Sequence, residues 1–208
     1  PDLLKSAVGQ QLHDLLKAGK GREAFYLLVQ WMAKGSEALV SNDAYLTSVW
    51  EMNNTVAERY NNPGTFTSLI GYEWTSQPGG GNLHRVVIFR DDKALTDKIL
   101  PFSAFDSEDV EDLWAFMAAY ESQLGGRVLA IPHNGNLSSG TMFLPQHQKS
   151  RMAIDADYAR MRQRFEPITE VTQAKGTGET HPLLSPEDEF ANFNIVDNSN
   201  LGGIKPTT

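Results

Sequence analysis

Several side chains able to bind metal or move protons stand at the ends of apolar runs in this sequence. Glu73 comes near the end of FTSLIGYEW, His84 opens HRVVIFR, and His133 follows VLAIP. Asn134 and Asn136 come directly after that histidine. Glu170 and Gln173 close PITEVTQ, with Lys175 just beyond. Neutral imidazole and carboxylate are ligands for zinc, manganese or iron. A carboxylate can bridge two ions while each histidine binds one. Two ions a few ångströms apart lower the pKa of a shared water and hold a phosphoryl oxygen for in-line attack. Taken singly, each residue has a plainer reading. A histidine at a strand end is commonly a hydrogen-bonded structural group, and the polar loop QAKGTGETHP, with Lys175, Glu179 and His181, can be simply solvated. Gly79-Gly80-Gly81 lacks the Lys-Ser/Thr of a phosphate loop and reads as a flexible turn. Ser138-Ser139 lacks the glycine-flanked elbow of a serine nucleophile.

These groups lie far apart in the chain, so secondary structure must bring them together. The first third reads as helices. Leu3, Leu4, Val8, Leu12, Leu15 and Leu16 recur at helical spacing until Gly19 and Gly21. A second helix is predicted from Glu23 to about Lys34, and a third from Asp43 to Tyr60, started near Ser41-Asn42 and ended by Asn61-Asn62-Pro63-Gly64. His13 and His147 are expected at the surface. After Thr65 the pattern changes. Strands are predicted at Phe66–Trp74, His84–Arg90, Val128–Pro132 and Pro167–Gln173. Helices are predicted at Ser107–Leu124, capped by Asp106 or Ser107 and closed by Gly125-Gly126, and at Asp155–Arg164. Ser185-Pro186-Glu187-Asp188 reads as the start of another short helix. Alternating helices and strands imply parallel strands with crossover helices, an α/β fold whose site lies at the strand ends. The expected division is a helical segment, 1–64, and an α/β portion, 65–208.

Composition removes several function classes. The 208 residues carry 18 Lys+Arg against 26 Asp+Glu, a net charge of −8, which disfavours a broad nucleic-acid-binding face. The absence of cysteine excludes disulfides, thiol nucleophiles and Cys-ligated zinc. No apolar run approaches the ~20 residues of a membrane helix. The chain does not begin with Met and is expected to be part of something longer.

The motifs GYEWTSQPGGGNLHRVVIFR, LAIPHNGNLSSGTMF and EVTQAKGTGETHPLLSPEDEF together resemble a bacterial family catalogued as a domain of unknown function and related to the PHP (polymerase and histidinol phosphatase) superfamily. The resemblance is strongest from about Asn62 to Phe193. It implies a distorted (β/α)7 barrel with two or three divalent ions (Mn, Zn or Fe). It also implies a phosphoesterase with a metal-bound hydroxide as nucleophile, a small anionic substrate, and a periplasmic or exported location. Carried over by position, Glu73 matches the bridging carboxylate, and His84 and His133 match ligand histidines. Arg85, Lys175 or His181 would neutralise the substrate. Asn134, Asn136 and Glu179 would contact it. Glu73, His133 and His181 are the residues placed at the chemistry. The superfamily's opening His-x-His, its Asp-His and its late Asp-x-His have no counterpart here, so the chain is expected to hold the middle of the barrel. The alternative is a non-catalytic module, or inactive fragment, that holds an anion or sugar with the same histidines, arginine and lysine.

Overall fold

The computed structural model describes residues 6–33, 43–196 and 200. Two compact units divide the chain, Pro1–Val49 and Trp50–Thr208. In the first, α1 (Ala7–Lys17) packs on α2 (Gly21–Ala33), and Leu12 and Ala24 are buried. Ser6 caps α1 by accepting from Gly9 N at 2.9 Å, and Gly19 leaves the helix at φ 72°, a conformation that favours glycine. Leu3, Leu4, Lys34 and the Ser41-Asn42 start signal lie outside the described residues. The third helix, α3 (Asp43–Tyr60), has the predicted bounds and crosses from the first unit into the second.

The second unit is built on a three-stranded sheet, β1 (Ile70–Trp74), β2 (Arg85–Phe89) and β3 (Val128–Pro132), in that order. Both pairings are antiparallel, which corrects the expected parallel arrangement. The reason lies in the β2–β3 connection. It holds a single-turn helix, α4 (Lys93–Thr96), then an irregular stretch, then α5 (Val110–Leu124). The Glu108 carbonyl accepts from Ser76 Oγ at 2.8 Å, so α5 starts near the C-terminal end of β1. Tyr120 Oη, near its other end, bonds Asp91 beside the end of β2 at 2.9 Å. The chain therefore travels out and back before β3 begins beside Phe89. A single helical traverse gives parallel neighbours, whereas two traverses return the chain to the same end of the sheet. No closed barrel is formed among the described residues, and the fold is a mixed α/β arrangement.

One face of the sheet is closed. Trp74, Val87, Phe89 and Ala130 are fully buried there against Leu113, Trp114 and Met117 of α5, with Phe165 of α6 (Ala156–Phe165) and Trp50 of α3. Trp50 Nε1 donates to Thr96 O at 2.9 Å, so its buried N–H is paired. Helix α5 starts later than its sequence suggests. Asp109, not Asp106 or Ser107, accepts from Glu111 N at 2.9 Å, and Gly125 ends the helix as expected at φ 74°. The short strands β4 (Thr172–Gln173) and β5 (Gly176–Thr177) form a separate two-stranded ribbon. The longer strand predicted at Pro167–Gln173 is shortened to β4, and ahead of it Glu170 N bonds Pro132 O of β3 at 3.0 Å. The helix expected after Ser185 is replaced by turns. Leu183, Leu184, Phe190 and Phe193 are exposed, and a short helix without a packed face is unstable in water. His147, expected at the surface, is largely covered and meets Glu111 Oε2 at 2.9 Å. Among the described residues, no helix is long and apolar enough to cross a membrane.

Candidate metal centre

The antiparallel register assigns side chains to faces. Glu73 pairs with Val86, which pairs with Ile131, so these three share one face. Two residues further along, His84 and His133 return to that face. His133 N reaches His84 O at 3.4 Å and holds the two strand ends together. The approach to His84 is fixed from below, because the fully buried Asn82 accepts from His84 N at 2.7 Å. Asn82 is not among the residues that the sequence pattern marks as candidates. Its signal is an Asn two residues before a candidate ligand, where its side chain can reach the backbone.

Glu73 Oε1 lies 3.0 Å from His84 Nδ1 and 3.0 Å from His133 Nε2. The imidazoles stand nearly edge to face, 5.9 Å between centroids. Both histidine side chains are 9 % exposed, whereas Glu73 is 47 % exposed. The three side chains therefore present donor atoms within 4.8 Å of one another and form a group that could hold a metal ion. Glu73 Oε1 takes up His84 Nδ1 and His133 Nε2, while the opposite ring nitrogens, His84 Nε2 and His133 Nδ1, are buried with no hydrogen-bond partner in the protein. The His84 pKa is also held below its ordinary 6.5. Burial is the largest cause, outweighing the attraction of Glu73, and the charges of His133 and Lys175 push the same way. A neutral imidazole keeps a lone pair for a metal.

An open cleft of about 400 Å3 adjoins the cluster, lined by Glu73, Val86, Ile131, His133, Glu170 and Gln173. Glu170 and Gln173 thus reach the place where their position in PITEVTQ put them, although Glu170 is engaged. Its Oε1 accepts from Asn134 N at 3.2 Å and from Gln173 Nε2 at 3.1 Å. Asn134 adopts a left-handed backbone, φ 56° and ψ 42°, and both atoms of its side-chain amide are buried without a protein partner. Asn136 Nδ2 donates to Lys175 O at 3.0 Å and so ties the loop after His133 to the polar loop. Gly176 is required at that crossing. Its φ is 118°, and a Cβ there would collide with Asn136 Nδ2. Glu179 and His181 are exposed and line a second cleft with Asn136 and Thr177.

Arg85 stands elsewhere. It follows His84 directly, and successive strand residues point to opposite faces. Its side chain enters the closed face, where Nε bonds Glu166 Oε1 at 2.9 Å and Nη1 bonds Leu83 O at 2.5 Å. The structure therefore brings Glu73, His84, His133, Asn134 and Lys175 to one neighbourhood, ties Asn136 to it through the Lys175 carbonyl, puts Glu179 and His181 on the second cleft, and leaves Arg85 out.

Comparison with curated proteins finds no match, and comparison with solved structures finds none. A family match extends over residues 1–208. The chain belongs to the family described as protein of unknown function (DUF3604).

Proposed function

We propose that the Glu73–His84–His133 corner is the centre of a metal-dependent hydrolase acting on phosphoesters. The observation that carries this reading is one carboxylate oxygen held 3.0 Å from nitrogens of two buried imidazoles. These three side chains would hold the ion or ions, of Mn, Zn or Fe type. When bound, such ions polarise a phosphoryl oxygen and make water a competent nucleophile at neutral pH. Around them, Lys175 offers a positive charge to the substrate's anionic group. Asn134, with an unpaired buried amide beside His133, offers a donor and an acceptor to orient it. Asn136 holds the Lys175 backbone. Glu179 and His181, exposed on the loop beyond Lys175, would border the approach, and His181 would move a proton to or from a leaving group. Arg85 has no part in this reading, since its guanidinium is committed to Glu166.

The PHP relationship and the (β/α)7 barrel belong to the same proposal. They are supported by the sheet's second face, where Val86, Ile88, Leu129 and Ile131 make it apolar too. Strands covered on both faces read this way, as barrel strands do.

Metal content of the purified protein by inductively coupled plasma mass spectrometry tests the reading, beside Glu73→Ala and His133→Ala. Mn, Fe or Zn near or above one per chain is expected, lost in both variants. Hydrolysis of p-nitrophenyl phosphate should fall to background in the same variants. Turnover retained in either variant would sink the assignment.

A further inference from the structure

A further cavity lies on the opposite, helix-covered face of the sheet. It encloses about 280 Å3 and is lined in part by Arg85, Arg151 and Arg162. We infer that it binds a small organic anion, a carboxylate carried on an apolar body. This site is separate from the Glu73 corner and does not depend on the function proposed for that corner.

The charge around the cavity is unbalanced. Arg85 is fully buried and spends Nε on Glu166 and Nη1 on a carbonyl. Arg162 sits among aromatic rings, its Cζ 5.1 Å from the centroids of both Tyr158 and Phe143 and 5.8 Å from that of Trp114. Its Nη2 donates to Tyr158 Oη at 3.0 Å, while its buried Nε has no hydrogen-bond partner. Glu166 Oε2, also buried and without a hydrogen bond, is 3.9 Å from that Nε. Arg151 adds an exposed guanidinium at the rim. Arg85 and Arg162 thus share the one carboxylate of Glu166, and Arg151 adds a third guanidinium to the lining. The next acid toward Tyr158, Glu111, is occupied by His147 at 2.9 Å. A buried cationic excess of this kind attracts an anion.

The walls define which anion. Leu83, Val110, Met142 and Leu144 make much of the lining apolar. A strongly hydrated phosphate would lose its water against those side chains without replacement. A carboxylate can instead present its oxygens to guanidinium donors and its hydrocarbon to the apolar wall. A volume of about 280 Å3 has room for about nine water-sized groups at roughly 30 Å3 each, the size of a benzoate rather than a nucleotide.

The test is calorimetric titration of the purified protein with benzoate, with the neutral isostere benzamide and with inorganic phosphate. The variants are Arg151→Ala, which removes a rim charge on an exposed loop, and Leu144→Trp, which fills the cavity. Saturable benzoate binding is expected, with none for benzamide. Arg151→Ala should weaken it about tenfold, the loss of one charge-assisted hydrogen bond, and Leu144→Trp should abolish it. Binding should persist in Glu73→Ala. Loss of benzoate binding in Glu73→Ala would assign the anion to the other face and overturn the inference. So would equal binding of benzamide, preference for phosphate, no saturation with benzoate, or binding unchanged in both cavity variants.

Discussion

Two sites on opposite faces of the same three strands, Arg85 and the His84–His133 corner, treat their polar atoms in opposite ways. On the closed face, Arg85 places Nε on a carboxylate and Nη1 on a carbonyl, with the Trp74 ring at 5.8 Å. On the open face, His84 Nε2, His133 Nδ1 and the Asn134 amide are equally buried but have no protein partner. Folding alone explains the first pattern, since a buried charge must be paired. Folding does not explain the second, because an unpaired buried polar atom costs about 1–3 kcal/mol. Hydrogen-bond saturation, not burial, is what distinguishes Arg85 from the corner.

The largest expected effect lies on the Arg85 side. Arg85→Ala leaves Glu166 buried and without its main counter-charge, so it should cost about 3–5 kcal/mol in urea unfolding. Replacing Arg85 and Glu166 together by Met and Leu should recover much of that loss. A double variant as unstable as the single one would show that the pair is not the reason for the cost. Next in size is a matched pair on one strand. Val87→Ala opens a void in the closed core and should cost about 2 kcal/mol. Val86→Ala, on the half-open face, should stay within about 0.5 kcal/mol. Equal losses at the two positions would mean that the open face is covered in solution.

The contrast between faces was partly legible in the sequence. The ligand types at the ends of GYE, NLH and IPHN marked the corner because polar groups at the tips of apolar runs are unusual, and the structure gathers them. The separation of His84 from Arg85 was also available, since the period of two puts neighbours on opposite faces. It was obscured because a positive charge beside a ligand histidine suits a phosphoester site. Strand direction was hidden for a different reason. Hydrophobic alternation reports which face a residue takes but not which way the strand runs. The residues between Phe89 and Val110 gave no sign that they would cross the sheet before α5 did. The cavity beside Arg162 was invisible because its lining comes from β2, α5, α6 and the loop after Thr141, contacts that no local pattern encodes.

The smallest effect gives the finest test of the comparison, at Asn134. Its left-handed backbone and unpaired amide both disfavour the folded state. Asn134→Gly removes both at once, against glycine's larger loss of chain entropy on folding. The net expectation is a gain of about 1 kcal/mol in thermal or urea unfolding. Asn134→Ala keeps the left-handed backbone with a Cβ and should be less stable than Asn134→Gly by about 1 kcal/mol. In the metal-loaded protein both variants should turn over p-nitrophenyl phosphate more slowly than the parent. A stabilised but slower Asn134→Gly would mean that the amide is held in place for substrate at a cost to the fold. A destabilised Asn134→Gly with unchanged turnover would mean that the amide already serves the structure, and the distinction between the paired Arg85 and the unpaired corner would fail at the residue where it is sharpest.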